Sequence, residues 1–148
     1  GLLVTKEYGP RVRLGKIYTD MPLAHDSPIQ IGVKKFCDVC RKCAESCPVG
    51  AISPDEASTE RYNQSNVKGV KKWSVDGEKC FGYWAAQNSD CSICIRVCPF
   101  NKDYSKWYNR LGIRLAGTFL RRFMLFLDNR LGYGVRMKPK TWWETRRG

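Results

Sequence analysis

Apolar and polar positions divide this chain into a patterned beginning, a polar middle and an amphipathic end. Leu2-Leu3-Val4 is a short apolar run of the kind a strand makes. Glu7-Tyr8-Gly9-Pro10 predicts a turn, because Gly permits positive φ and Pro fixes φ near about −65°. Val12, Leu14 and Ile17 then alternate with Arg11, Arg13 and Lys16, which predicts a half-buried strand. Asp20-Met21-Pro22 and Asp26-Ser27-Pro28 punctuate a loop. Residues 53–79 are a polar insert rich in Ser, Asn, Asp and Glu, and Asp76-Gly77 predicts a tight turn before Cys80. Leu111, Leu115, Phe119, Phe123 and Phe126 recur at helical spacing, predicting a helix over residues 107–131. Arg110, Arg114, Arg121 and Arg122 fall on its other faces, and Gly132 and Gly134 are its stop signals. Such a stripe favours packing on another part of the protein over a membrane-surface helix with a basic rim.

The apolar stretches Leu115 to Leu120 and Phe123 to Leu127 are split by Arg121 and Arg122. Each is shorter than the roughly 20 residues a membrane-spanning helix needs. The sequence opens at Gly1 without an initiator Met and closes on a run without punctuation, so the expectation is a piece of a longer protein. Silence about export signals is then uninformative. Formal charge is +12, from 26 Lys and Arg against 14 Asp and Glu. Basic excess of this size suits an acidic redox partner, an anionic lipid surface or nucleic acid, and charge alone does not choose among them.

The cysteines change this picture. They form two runs, Cys37-x₂-Cys40-x₂-Cys43-x₃-Cys47-Pro48 and Cys80-x₁₀-Cys91-x₂-Cys94-x₃-Cys98-Pro99. The first is the bacterial two-cluster ferredoxin spacing, in which the fourth cysteine serves the other cluster. The x₃ step leads into a short helical turn that carries the fourth thiolate away, and the proline redirects the chain. One [4Fe–4S] cluster is therefore assigned to Cys37, Cys40, Cys43 and Cys98, and a second to Cys47, Cys80, Cys91 and Cys94. The wide gap after Cys80 requires a loop, Phe81 to Asp90, to bring that thiolate back. Disulfides and two zinc sites are the alternatives for eight cysteines. The interlocked CxxCxxCxxxCP run favours iron and sulfide over both. With the thiolates ionised and two oxidised clusters bound, net charge falls to about +8. Phe36, Val39, Val49, Ala51, Ile52, Ile93, Ile95, Val97 and Phe100 flank the cysteines and are expected to keep water from the clusters. Low dielectric lowers a cluster's potential and N–H bonds to sulfur raise it.

Two further stretches carry a family resemblance. One runs Gly1-Leu2-Leu3-Val4-Thr5-Lys6-Glu7-Tyr8-Gly9-Pro10-Arg11-Val12-Arg13-Leu14-Gly15, followed by Tyr18-Thr19-Asp20-Met21-Pro22-Leu23. The other is Lys79-Cys80-Phe81-Gly82-Tyr83-Trp84 with Cys91-Ser92-Ile93-Cys94-Ile95-Arg96-Val97-Cys98-Pro99-Phe100. Together they resemble the C-terminal part of the corrinoid-dependent reductive dehalogenases, from Gly1 to about Gly134. The resemblance implies an upstream nitroreductase-like domain holding a cobamide, and two clusters that feed electrons to its cobalt. It implies organohalide respiration, in which R–X, two electrons and a proton give R–H and X⁻. The proton donor, a tyrosine in this family, would lie upstream and is not Tyr8 or Tyr83. Arg13 best matches a pocket arginine of the family and would stabilise developing halide charge or position the donor. Alternation alone reads it equally as a solvated strand residue. Trp84 would wall a substrate channel, or simply pack over the second cluster. The resemblance further implies an organohalide substrate, a membrane electron donor or small membrane anchor protein, no nucleic-acid partner, and peripheral attachment on the extracytoplasmic face of the cell membrane.

The expected fold is α+β. Residues 1–36 would end a cobamide-binding domain as an edge segment. Residues 37–106 would form a two-[4Fe–4S] ferredoxin-like module, and residues 107–148 a C-terminal amphipathic helix and tail. His25 is expected to be an exposed loop residue, and Trp142-Trp143 a docking surface. The rival readings are an epoxyqueuosine reductase-type tRNA-modifying enzyme, whose nucleic-acid substrate suits the positive charge, and a stand-alone electron carrier.

Overall fold

The computed structural model describes residues 2–27 and 29–137. Its regular structure consists of α1 Val33–Cys40, α2 Lys42–Glu45, α3 Gly77–Gln87, α4 Ile93–Arg96, α5 Trp107–Leu115 and α6 Arg121–Arg130. Among the described residues there is no extended strand, only isolated antiparallel bridges at Thr5–Gly9, Ile52–Val75 and Ser58–Lys72. The strands expected at Leu2–Val4 and over Val12–Ile17 are therefore absent here. Leu14 is 77% exposed and Ile17 92% exposed. Alternation supplies one face of a strand, but a ladder also needs a neighbouring backbone, and among the described residues none forms a bridge to residues 12–20.

The Gly9 turn forms as its residues predict. Thr5 and Gly9 exchange backbone hydrogen bonds of 2.9 and 3.0 Å. Gly9 has φ of 59°, and a side chain there would collide with the Phe100 carbonyl oxygen. The turn is thereby seated on the core, which is built from Phe36, Phe100, Tyr104, Ile113 and Ala116. Phe36 and Phe100 meet edge to face at 5.1 Å, and the Tyr104 hydroxyl donates to the Phe100 carbonyl at 2.9 Å. Val4, Ile31 and Val33 pack on this cluster from the N-terminal side, and Met124 and Leu125 from α6.

The polar insert folds back on itself. Ser53 N–H donates to the Ser74 carbonyl and Asp76 N–H to the Ala51 carbonyl, at 3.1 and 2.7 Å. Its two ends are thus fastened together beside the first cysteine run. Asp76-Gly77 is not a hairpin turn but the start of α3. Asp76 Oδ1 accepts from Lys79 N–H at 3.0 Å, satisfying one of the unpaired donors of the first turn. Most of the segment Phe81 to Asp90, expected as a loop, accordingly continues as helix to Gln87, where Asn88 caps it at φ 51°.

The helix expected over 107–131 is two helices. The chain leaves helical geometry between Leu115 and Arg121, where Gly117 lies against the Gly32 backbone, too close for a side chain to fit without a shift. The Thr118 hydroxyl donates back to the Leu115 carbonyl at 2.7 Å. The stripe also faces outward: Phe119 is 87%, Phe123 56% and Phe126 61% exposed. Ile113, Ala116 and Asp128 are the buried residues of this region. Gly132 and Gly134 follow α6 at positive φ, as the stop signals predict. No helix among the described residues is long and apolar enough to cross a membrane. Pro28 and Trp142-Trp143 lie outside the described residues.

Candidate iron–sulfur centres

The two cysteine runs share a local backbone. In Cys40-Arg41-Lys42-Cys43 the residue after the first cysteine is left-handed, with Arg41 at φ 48°. In Cys91-Ser92-Ile93-Cys94 the equivalent Ser92 has φ 51°. Each opens a four-residue helix, α2 or α4, and those two helices pack together. A non-glycine residue in this region costs roughly 1–2 kcal/mol, so two in register mark a geometry that the surrounding structure enforces. Each kink lets two thiols of a CxxC pair approach the same point. In α1, Cys37 and Cys40 are three residues apart and share a helix face.

All eight thiols are free and partly buried. Cys37, Cys40, Cys43 and Cys98 border one cavity of about 470 Å³, whose other walls include Phe36, Ile52, Trp73 and Phe100. Leu2, Leu3, Val4 and Ile29 from the N-terminal segment complete it. Burial pushes Cys37 up to about 12, and the negative charges that Cys98, Cys40 and Cys43 would carry add to the rise. Cys98 is likewise raised to about 12 by burial, with Cys40 and Cys43 adding to it, against a Phe100 N–H bond that favours the thiolate. Burial raises Cys40 to about 11, opposed by the Lys42 N–H, and it raises Cys43, opposed by the Ala44 N–H.

A second group lies alongside. Burial raises Cys80, and its charged neighbours are Cys47 and Cys91. Burial raises Cys94 to about 11, opposed by the Ile95 N–H, with Cys43, Cys91 and Cys80 as its charged neighbours. Ala51 N–H points to Cys47 Sγ at 3.2 Å. Cys80 sits in the first turn of α3, so the closed insert and the Asp76 cap together carry it toward Cys47. Among the described residues no three or more His, Cys, Asp or Glu side chains converge on a single-ion site. Four thiols around a cavity suit a larger inorganic core, whose N–H···S donors and apolar walls are the features that tune iron–sulfur potentials. Phe36, Ala51, Ile52, Ile93, Val97 and Phe100 are buried as expected, whereas Val49 is 36% exposed.

The remaining sequence candidates are Arg13, His25 and Trp84, which lies one turn after Cys80 on α3. Arg13 is exposed. Arg11 is an anchor, donating through Nη2 to the Lys102 carbonyl at 2.7 Å and through Nε to the Tyr8 carbonyl at 3.4 Å. The two arginines therefore do not share one strand face. Trp84 is 37% exposed on α3, a helix with no buried residue, and His25 is exposed in its loop. Sequence reasoning missed Lys42 and Lys102, two half-buried lysines paired with the buried Asp128, whose charge acts on Cys40 and Cys98. The signal was present: Asp128 is the one acidic residue between Asp103 and Glu144.

Comparison with known proteins bears on both groups. Residues 36–101 match the 4Fe-4S double cluster binding domain. The chain is similar to the tetrachloroethene reductive dehalogenase of Sulfurospirillum multivorans, 39% identical over 97% of this chain and 29% of that protein. Among solved structures it is similar to the catabolic reductive dehalogenase NpRdhA in complex with 3-bromo-4-hydroxybenzoic acid. There the TM-score is 0.71 at 32% identity, covering 90% of this chain and 18% of the other. Similarity to the epoxyqueuosine reductase of Atelocyanobacterium thalassa is weaker, 30% identity over 74% of this chain and 34% of that protein. The chain thus spans less than a third of the dehalogenase it matches.

Proposed function

We propose, from this kinship with the reductive dehalogenases over nearly its whole length, that the chain is the electron-relay portion of such an enzyme. The observation that carries the reading is the crossing of thiols between the two runs. Cys98 joins Cys37, Cys40 and Cys43 at one cavity, and Cys47 neighbours Cys80, which in turn neighbours Cys91 and Cys94. These are the ligand sets we assign to the first and second [4Fe–4S] cluster. Each such cluster supplies reversible one-electron transfer when bound. Around them, the chain's own residues exclude water, hold the thiols in register and direct N–H groups at sulfur. Clusters held by these two sets would lie beside one another, and each would supply a one-electron step to the other.

The rest of the enzyme would supply the cobamide, the proton donor and most of the organohalide pocket. Residues 11–30 fit an edge role there. Leu14, Ile17, Tyr18 and Met21 are each more than half exposed and want a partner surface. The α+β, nitroreductase-edge character belongs to that larger assembly. Arg13, exposed and without an assigned duty in this chain, is placed at the halide or donor side of the pocket. Trp84 is assigned to a channel wall. A membrane electron donor or small membrane anchor on the extracytoplasmic face completes the scheme, and no nucleic acid is required.

The test is anaerobic reconstitution followed by iron and sulfide analysis and single serine substitutions. The expectation is about eight irons and eight sulfides. Cys98→Ser should alter the spectrum of the cluster held by Cys37, Cys40 and Cys43, and Cys47→Ser the other. If Cys98→Ser disturbs only the cluster of Cys91 and Cys94, the crossing is wrong. Activity of the full-length protein on epoxyqueuosine in tRNA, with none on an organohalide, would favour the rival function.

A further inference from the structure

Asp128 is only 7% exposed, although it lies on the outer helix α6. Two lysines hold its carboxylate: Lys42 Nζ is 2.7 Å from Oδ2 and Lys102 Nζ is 2.7 Å from Oδ1. Lys42 also donates to the Tyr133 carbonyl at 3.4 Å, and Lys102 Nζ stands 3.6 Å from the centre of the Tyr133 ring. One lysine lies within the first cysteine run and the other just after the second. Lys42 lies between Cys40 and Cys43, and Lys102 follows Cys98-Pro99-Phe100-Asn101. The network faces one thiol group. The Asp128 charge acts on Cys40 and Cys98, and the Lys42 charge acts on Cys40 in the opposite sense.

Packing alone does not call for this arrangement. Burying the Asp128 carboxylate costs several kcal/mol in desolvation, the half-buried lysines add to it, and apolar residues of similar volume hold a helix at least as well. The network does something that apolar residues would not: it fixes one net positive charge beside the cavity of Cys37, Cys40, Cys43 and Cys98. One-electron reduction of a cluster there adds one negative charge, with no bond made or broken and no proton taken up. The electron comes from a low-potential one-electron reductant.

We propose that Lys42, Lys102 and Asp128 form a charge relay plate that sets the potential of the first cluster, the two lysines raising it and the carboxylate trimming it. This rests on the ligand assignment above. The three are positioning residues and touch no substrate. At an effective dielectric of about 20, a unit charge near the cluster shifts the reduced-to-oxidised ratio on the order of tenfold, about 59 mV for one electron.

The experiment is an EPR-monitored redox titration of the anaerobically isolated full-length protein, with dithionite and viologen mediators. Lys42→Gln and Lys102→Gln should each lower the potential of the first cluster on the order of tenfold in the ratio, and Asp128→Asn should raise it. The double variant Lys42→Gln/Asp128→Asn restores the net charge and should return to the wild-type potential. Lys42→Arg should also match wild type. The second cluster should not move in any of them. Where Asp128→Asn fails to hold the cluster, the single variants Lys42→Gln and Lys102→Gln, with Lys42→Arg as the charge-keeping control, still decide. Unchanged potentials in the lysine variants, shifts of one sign in all three single variants, or a double variant displaced from wild type would overturn the proposal. Iron near four per chain in the wild-type protein would instead overturn the ligand assignment, so the two failures are distinguishable.

Discussion

Asp76→Ala should loosen one cluster and spare the other. Asp76 is 9% exposed and caps α3 through a 3.0 Å bond from Lys79 N–H. Losing such a cap costs about 1 kcal/mol, and losing the carboxylate at the helix N-terminus about another 0.3–1 kcal/mol. The Lys79 ammonium, 3.7 Å away with its side chain 55% exposed, adds little. The backbone bond from Asp76 N–H to Ala51 survives the substitution. The total, about 1–2 kcal/mol, corresponds to a roughly 5–30-fold increase in local opening. Cys80 lies in the turn that opens, so the second cluster should release iron to a chelator faster by about that factor, while the first cluster keeps its wild-type lifetime. Hydrogen exchange of the amides over 77–87 reports the opening directly. Asp76→Asn should keep most of the cap, and Lys79→Ala should behave as wild type. Equal acceleration of both clusters, or wild-type exchange in Asp76→Ala, would refute the reasoning.

Burial raises Cys37 and Cys98 from 9.0 to about 12, so the cluster-free fold retains protons that the unfolded chain releases above pH 9. Its stability should be full below that pH and fall as pH rises toward 12, and denaturant titrations flat between pH 8 and 11 would contradict this. Cluster assembly replaces those protons with iron, so it should release acid and be favoured by rising pH, measurable with an indicator dye. In the full-length enzyme, Arg13→Leu should depress turnover on the order of 10²–10³-fold with iron content intact. Arg11→Leu should instead lower thermal stability, because Arg11 ties the Gly9 turn to the Lys102 carbonyl. Loss of iron with Arg13→Leu would assign that residue to the fold.

The cysteine runs announced a double 4Fe-4S cluster domain because ligand chemistry fixes spacing within a few residues of chain. The Gly9 turn and the stops at Gly132 and Gly134 were legible for a similar reason: each depends on backbone freedom that few residues have. What failed were readings that depend on distant partners. Val12, Leu14 and Ile17 alternate, yet alternation does not supply the neighbouring backbone. The stripe through Phe119, Phe123 and Phe126 has helical period, yet period does not say which face this chain covers and which it leaves open. Helix α3 was hidden by Gly82 and by reading Asp76-Gly77 as a hairpin signal, when the same aspartate is an equally good cap. The Lys42–Asp128–Lys102 network spans residues far apart in sequence, and only the folded chain brings it together.

The fastened base of the polar insert has a consequence for how this region can vary. Ile52 and Val75 are bridged, and Ser58 pairs with Lys72, so everything between them hangs from a closed stem. Lengthening such a loop costs only about 0.6 kcal/mol per doubling, because closure entropy grows with the logarithm of length. Natural relatives can therefore differ here by insertion or deletion without displacing Cys80. The exposed stretch from Glu60 to Tyr62 is also a natural splice point for a foreign epitope or a fluorescent tag, which would ride on the outside of the protein while the redox centres beneath stay in register.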